Sequence, residues 1–273
     1  MLGIREIFIM KKVVLFFGCL FVGVGLLAAE ISKSDAAALL QKAEDNTCFY
    51  NTDMKGDYQI VHDKPGEGRN VISAILYRRD SQKKWTILIT GPEKDKGKGY
   101  LQFDSNIWFY DPADKRFTFS SARDKFQNTN ANTSDFAPQL YVSDYSMESY
   151  DEVKLGKFDC VVFTLKAVSK NVAYPELKLW VSKDDGLMRK REDYSLSHQR
   201  LRTIAIPSYQ KVRNTEKEYS IPVNMVIQDH LRGKKINEKV EYEKTVISIS
   251  NVVFEPVEDL VYTKPYLETM SVR

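Results

Sequence analysis

The chain has 273 residues, of which 43% are hydrophobic and 12% aromatic, and its formal net charge is +3. This length and apolar content exclude an intrinsically disordered chain and suffice for the core of one large domain or two small ones. The small net charge excludes the global basic field that is typical of nucleic-acid-binding proteins.

The N-terminal residues 1–29 have the pattern of a secretory signal peptide. Two lysines precede an apolar run, residues 13–27, and two alanines follow it. We expect a start at Met10 and cleavage near Ala29, which leaves residues 30–273 as a single exported domain. An uncleaved inner-membrane anchor is the alternative, although the apolar run is at the short end for crossing a bilayer.

The three cysteines occur in different settings. Cys19 lies in the apolar N-terminal run, where Phe-Phe-Gly before it is a poor match to a lipidation site. Cys160 lies in a strand-like run, where a buried free thiol is the common outcome. We therefore expect Cys48 and Cys160 to be free thiols. A disulfide between them is the alternative, because export permits one.

One helix is predicted after the signal segment, and a long series of strands follows it. Ser32 or Ser34 can cap the helix, and residues 36–44 are strong helix formers. The strand-like segments are DYQIVH, NVISAILYRR, KWTILIT, GYLQF, NIWFYD, RFTFSS, KFDCVVFTLKA, ELKLWVS, LMRKREDYS, IPVNMVIQDH and KINEKVEYEKTVISI. Short connections, with tight turns at Asp185-Gly186 and around Arg232-Gly233, favour an antiparallel meander.

One stretch in the middle of this series lacks a strand pattern. Residues 124–134 are polar and aperiodic, and residues 136–150 combine aromatic, aliphatic and acidic side chains in a way that suits short helices. Such an insertion is either a lid over the sheet or a surface loop with one packed helical turn. The pattern favours neither.

The sequence offers no pattern for catalysis, for a metal or for another cofactor. His62, His198 and His230 are isolated from one another and from the cysteines, which argues against a metal site. Residues 91–99 differ from a phosphate-binding loop in spacing, and strands rather than a helix follow them. No Gly-x-Ser-x-Gly motif occurs. We therefore expect a protein that is not an enzyme and that carries no cofactor.

Two basic clusters stand out, at residues 189–191 and at Arg232, Lys234 and Lys235. Such clusters most often lie on solvated strand faces and hairpin tips. Contact with anionic lipid headgroups or with an acidic partner surface is the alternative.

Several strands are apolar on both faces. Trp85, Ile87 and Ile89 share one face of their strand, but Leu88 lies on the other, and residues 106–112, NIWFYDP, show the same feature. An antiparallel sheet with one solvated face would alternate instead. Either helices cover the second face as ordinary core, which the pattern alone favours, or the sheet curls into an open barrel that encloses an apolar cavity.

The hairpin at residues 99–121 resembles the central hairpin of the periplasmic lipoprotein carriers of the LolA family, within the broader group of outer membrane lipoprotein-sorting proteins. The matching features are the aliphatic-Trp-aromatic-Tyr strand with Asp-Pro at 107–112, the Lys-Gly entry at 96–101, Ser-Asp-Phe at 134–136 and the hairpin at 179–187. The motifs are short, and their order and spacing over most of residues 30–270 carry the resemblance.

The resemblance implies a mainly β (α+β) fold, an unclosed antiparallel β-barrel of about eleven strands with an N-terminal helix and a helical lid. It implies a periplasmic carrier or chaperone that binds acyl chains of lipoproteins or lipids and moves them toward the outer membrane. Its partners would be an inner-membrane donor or exporter and an outer-membrane acceptor. The alternative is an envelope-stress or transporter-associated regulatory module of the same fold that binds a membrane protein. A third hypothesis is an exported adhesin with a solid core.

The implied cavity is expected to be lined by residues of the apolar strands, or by their neighbours on the opposite face. These residues are Trp85, Ile87, Ile89, Leu101, Phe103, Trp108, Tyr110 and Phe163. In the carriers a strand-end arginine helps to lock the lid, and it would correspond here to Arg78 or Arg79. The segment that would form the lid is longer in this chain, so this lid-locking or headgroup role rests on the resemblance alone.

Overall fold

The computed structural model describes residues 30–103 and 106–271. The predicted signal peptide and Cys19 lie outside the described residues. Ile31–Arg273 forms one compact unit. No helix in the described part of the chain is both long enough and apolar enough to cross a membrane.

The described residues contain two α-helices and fifteen strands. The helices are α1 (Lys33–Asp45) and α2 (Lys264–Met270). The strands are β1 (Met54–Lys64), β2 (Gly68–Arg79), β3 (Lys84–Gly91), β4 (Gly99–Phe103), β5 (Asn106–Asp111), β6 (Arg116–Ser120), β7 (Tyr145–Leu155), β8 (Phe158–Ala167), β9 (Glu176–Ser182), β10 (Met188–Tyr194), β11 (Arg200–Ala205), β12 (Tyr209–Arg213), β13 (Glu218–Pro222), β14 (Asn224–Ile236) and β15 (Lys239–Phe254).

Helix α1 begins where the sequence predicts. The Ser32 hydroxyl accepts a hydrogen bond from the backbone N–H of Asp35 at 3.1 Å and so caps the first turn. Ala36, Leu40 and Ala43 are its buried residues. Their spacing places them on one face of the helix, which packs against the sheet.

Thirteen strands form one antiparallel sheet in the order β6-β5-β4-β3-β2-β1-β15-β14-β11-β10-β9-β8-β7. Strands β12 and β13 form a separate ribbon. The edge strands β6 and β7 are consecutive in the chain, so the connection between them must pass from one edge of the sheet to the other. We call this connection, residues 121–144, the crossing segment. It includes the short 3-10 turns Phe126–Asn128 and Thr133–Phe136.

The predicted fold class, an open antiparallel sheet with an N-terminal helix, is confirmed, and the number of strands is larger than expected. Strands β7, β11, β12 and β13 were not predicted. Strand β7 is an edge strand that is half-exposed or exposed throughout, and it overlaps the stretch that suited helices at residues 145–150. The last hairpin turns at Asn237 and Glu238, which have φ of 46° and 64°, rather than at Arg232-Gly233.

The core lies on two faces of the sheet. The inner face, on which α1 and the crossing segment pack, carries two large apolar clusters. The outer face carries a smaller cluster beneath α2, formed by Leu88, Leu101, Tyr110 and Leu267. Cys48 and Cys160 are both buried and unpaired, which confirms the prediction of free thiols.

Candidate functional site

The crossing segment covers the inner face of the sheet with its own aromatic side chains. Phe126 and Phe136 are buried in the same cluster as Trp85, Ile87 and Ile89. The ring of Phe126 lies 4.7 Å from that of Phe136 and 4.9 Å from that of Tyr100. The crossing segment thus shields from solvent the inner face of strands that are apolar on both faces.

A cavity of about 90 Å³, measured as the space open to the centre of a water-sized sphere, remains beneath this cover. Apolar residues that line it come from α1 and its following loop, the crossing segment and the sheet: Ala43, Phe49, Tyr58, Phe136, Met188 and Ile247. Arg78, Asp135 and Arg191 also line it. Typical ligand pockets measure about 300–1,000 Å³, so this cavity is too small for an acyl chain.

A larger groove of about 680 Å³ lies beside the cavity and is open to solvent. Trp85, Ile107 and Phe119 line it from the sheet, and Tyr141 and Tyr145 line it from the crossing segment and β7. Tyr141 and Arg191 line both the groove and the cavity. The groove therefore offers an approach from solvent to the covered inner face.

Four buried charges hold the crossing segment on the sheet. Asp135 accepts two hydrogen bonds at 2.7 Å from Arg202 of β11 and one at 3.0 Å from Arg191 of β10. Asp193 contacts both arginines in turn. Arg191 also donates to the side-chain oxygen of Gln139 at 2.6 Å. The side chains of all four charged residues are at most 6% exposed. Two arginines and two aspartates make the cluster neutral, as a buried site requires.

The surroundings of Asp135 decide its charge. Burial alone would raise its pKa, but the charge and hydrogen bonds of Arg202 and the charge of Arg191 outweigh burial and hold the pKa below its usual value. The same contacts raise the pKa values of Arg191 and Arg202 despite burial. Asp135, Arg191 and Arg202 are therefore charged at neutral pH.

The first half of the crossing segment has further polar anchors. Lys125 lies 3.2 Å from Asp229 of β14, and the Gln127 amide donates to the Tyr100 hydroxyl at 3.0 Å. The backbone N–H of Asn130 donates to the Thr245 hydroxyl at 3.0 Å. Each contact joins the segment to a different strand, so displacement of the whole segment must break several of them.

The predicted cavity residues divide between two faces of the sheet. Trp85, Ile87 and Ile89 lie on the inner face beneath the crossing segment. Phe163 lies in the second inner cluster, with α1. Trp85 also lines the groove, and its indole N–H donates to the Gln102 side chain at 2.6 Å.

The other four predicted residues lie on the outer face. Leu101 and Tyr110 pack with Leu267 of α2, joined at the margin by Phe103, and the Trp108 ring lies 3.7 Å from the Lys264 ammonium. The eight predicted residues therefore do not line one common surface, as a shared cavity would require, because four lie on each face of the sheet. The register pairs Ile87 with Tyr100 and Tyr100 with Phe109, so Tyr100, Ile107 and Phe109 are the inner residues of β4 and β5.

Arg78 lies on the inner face and Arg79 on the outer. Arg78 pairs with Asp80 at 2.6 Å and donates to the Thr47 carbonyl at 2.8 Å. The Thr47 hydroxyl accepts from the backbone N–H of Gln139 at 3.1 Å, so Arg78 is linked to the crossing segment through Thr47.

Arg79 serves the C-terminal part of the chain instead. It pairs with Asp53 at 2.8 Å, contacts Asp259, and stacks on the Tyr262 ring at 4.7 Å. None of these partners belongs to the crossing segment, so of the two candidate arginines only Arg78 is placed near it.

Comparison with known proteins places the chain in a family. A family model described as "Uncharacterized protein" matches residues 81–269. The chain belongs to this family. Comparison with curated proteins gave no match.

The fold is that of the LolA superfamily. A LolA superfamily protein from Nitrosomonas europaea is similar with a TM-score of 0.70 and 19% identity, over 85% of this chain and 98% of that one. A domain from Vibrio parahaemolyticus, described as an outer membrane lipoprotein-sorting protein, has a TM-score of 0.71 and 18% identity, over 85% of this chain and 97% of that one. The resemblance seen in the sequence motifs is thereby confirmed at the level of fold.

Sequence reasoning missed the residues that fasten the crossing segment to the sheet in this chain. Asp135 was noted only as part of the Ser-Asp-Phe motif, Arg191 was assigned to a solvated face, and Arg202 was not singled out. Arg191 is buried, so that assignment was wrong. The available signal was the run of three basic residues followed by two acidic ones in 189–193, RKRED, within a strand that ought to be partly buried.

Proposed function

We propose that this protein is a periplasmic carrier that takes up acyl chains of lipids or lipoproteins on the inner face of its open sheet and moves them toward the outer membrane. The observation that carries the proposal is the crossing segment. It covers part of the apolar inner face with two phenylalanines and several polar contacts, beside Phe49 and the β13 residues Tyr219 and Ile221. Such a cover is suited to being displaced. An inner-membrane donor or exporter and an outer-membrane acceptor would be the partners.

The aromatic part of the cost of displacing the crossing segment can be compared with the gain from binding an acyl chain. Removing two buried phenylalanines from the inner face costs about 3–6 kcal/mol, and each acyl CH₂ that takes their place returns about 0.8 kcal/mol. About eight methylenes therefore suffice to offset the aromatic contacts. A cargo chain of membrane length biases the segment toward the open position, and release lets it close.

Binding and release of this kind need no covalent chemistry, so the proposal is of a carrier and not of an enzyme. We assign the lid-locking role mainly to Asp135, Arg191 and Arg202. Arg78 contributes through Thr47 and lines the cavity, where its charge can meet a lipid headgroup.

A second candidate is a regulatory module of the same fold that binds a membrane protein involved in envelope stress or transport. The closed inner face favours it, because the remaining cavity of about 90 Å³ does not accommodate an acyl chain. A module that recognises a partner with its surface has no need to open.

The test is organic extraction and mass spectrometry of residues 30–273, purified from a periplasm without detergent. Phospholipid or acylated peptide in stoichiometric amount supports the carrier. A ligand-free protein that also fails to take up a fluorescent fatty-acyl probe contradicts it. Stable capture of a membrane protein without lipid exchange would then support the regulatory module.

A further inference from the structure

The hairpin of β14 and β15 extends beyond the sheet that carries it. Pairing of β15 with β1 ends at Lys244, and pairing of β14 with β11 ends at Asp229. Residues 230–243 pair with no strand but each other, and we call them the free ribbon. From 231 to 242, every residue except the half-buried Ile236 is exposed. An isolated two-stranded ribbon is marginally stable, so this one gains by resting on a surface.

The end of the free ribbon is strongly basic. Residues 231–240 contain four basic side chains and one acidic one, which gives this end a net charge of 4 − 1 = +3, and Glu241 and Glu243 lower the net charge of the whole free ribbon to 4 − 3 = +1. The basic residues are Arg232, Lys234, Lys235 and Lys239. Arg232 lies 3.8 Å from Glu243, whereas the three lysines form no ion pair with any described residue. Their charge is therefore available to a partner.

The ribbon also presents apolar side chains to solvent. Leu231, Val240 and Tyr242 are 54%, 55% and 37% exposed. The register pairs Lys235 with Val240 and Gly233 with Tyr242, which places Val240, Tyr242 and Lys235 on one face. A Cβ at Gly233 would lie 2.6 Å from Val240 and 3.0 Å from Tyr242, so the glycine lets both side chains lie flat across the ribbon.

We propose that the free ribbon docks the protein on an anionic lipid bilayer. Lysines are attracted to the negative surface of such a bilayer, and tyrosine with small aliphatic groups suits its interfacial layer. Long lysine stems allow the apolar face to enter while the ammonium groups stay among the headgroups. An acidic protein surface is a poorer partner, because it would leave the apolar side chains of the ribbon without apolar contacts. Pairing with a strand of another protein is also disfavoured, because lysines on exposed strands oppose it.

The first test is sedimentation of residues 30–273 with vesicles of equal parts phosphatidylglycerol and phosphatidylcholine, and with vesicles of phosphatidylcholine alone. These residues contain the whole compact unit and lack the apolar N-terminal run. We expect binding to the anionic vesicles only, weakened by salt. Replacing Lys234, Lys235 and Lys239 by alanine should weaken it about tenfold to a hundredfold.

The matched control replaces three exposed lysines at the β7–β8 edge of the sheet, Lys154, Lys157 and Lys166. This variant changes the net charge by the same amount but leaves the free ribbon intact, so vesicle binding should stay within about twofold of the unaltered protein. Equal loss in both variants would show that only net charge matters and would overturn the proposal. So would binding by the unaltered protein that is indifferent to lipid charge, or no binding at all.

A second test reports insertion directly. The native thiols are buried, so an environment-sensitive fluorophore can be attached selectively to Val240→Cys or, as the control, to Val253→Cys. Both valines are exposed and lie on β15. Anionic vesicles should shift the emission of the label at 240 to the blue and leave the label at 253 unchanged. An identical response at both sites would contradict docking through the ribbon.

Docking and cargo binding are separable. The triple lysine variant should take up the soluble fatty-acyl probe as well as the unaltered protein does, because the ribbon lies outside both the cavity and the groove. Vesicle binding without any probe uptake would leave the docking inference standing while the carrier proposal fails.

Discussion

At the scale of single residues, Asp135 is the carboxylate whose loss should disturb the crossing segment most. Asp135→Ala leaves the buried Arg191 and Arg202 with one of their two shared carboxylates, Asp193, and an excess positive charge, which should lower the free energy of unfolding by about 3–5 kcal/mol. Urea denaturation measures this change. Hydrogen exchange of residues 121–139 should accelerate as well. Asp159→Ala, which removes an exposed pair with Lys154 at 3.8 Å, is the control and should cost less than about 1 kcal/mol. Equal costs would show that the cluster does not hold the segment.

The charge of the same residue predicts how stability responds to acid. The pKa of Asp135 in the folded protein lies below its ordinary value of 3.8, so the unfolded chain takes up the proton first. Its contribution is complete above about pH 4 and is lost as pH falls through the folded pKa. The stability difference between the unaltered protein and Asp135→Asn should be constant from neutral pH to about pH 5 and shrink below about pH 4. A difference that already shrinks near pH 6 would contradict the assigned pKa direction.

At the scale of elements, the two phenylalanines of the crossing segment stand where the proposed cargo would lie. Phe136→Ala should cost about 3–5 kcal/mol of stability, because the side chain is buried among Tyr58 and Phe126. It should also strengthen binding of a fluorescent fatty-acyl probe, since less aromatic surface must be displaced. Leu196→Ala, at an 85% exposed position, is the control for both measurements. Weaker probe binding in Phe136→Ala would argue that this side chain recognises cargo instead of occupying its place.

Elements that depend on local sequence signals were predicted correctly, whereas side-chain orientations that depend on strand pairing were not. The cap of α1 and the hairpin of β9 and β10 at Asp185-Gly186 rest on local signals, and both were predicted. Strands β3 to β5 are apolar on both faces, so alternation did not reveal that Trp85 faces inward and Trp108 outward. Only the register with neighbouring strands decides this. Asp135 meets partners 56 and 67 residues away, and no local pattern contains such a contact.

At the scale of the whole molecule, the tryptophans report which side of the sheet receives an acyl chain. The chain contains three. Trp85 faces inward and lines the groove, whereas Trp108 contacts Lys264 of α2 on the outer face. Trp180 alternates with the inner residues Leu179 and Val181 and is therefore also outward. A quencher carried by cargo on the inner face should reach Trp85 alone.

Brominated fatty acid is such a quencher. In the double variant Trp108→Phe and Trp180→Phe, only Trp85 emits, and its fluorescence should fall as the acid binds. The control is Trp85→Phe, in which only the two outward tryptophans emit. Their fluorescence should stay constant at the same concentrations of brominated fatty acid. Quenching confined to Trp85→Phe would place the acyl chain on the outer face, beneath α2, and would overturn the assignment of the inner face as the cargo site. Trp85 lines the groove of about 680 Å³ and not the cavity of about 90 Å³, so its quenching would place the acyl chain on the inner face, either in the groove or beneath the crossing segment.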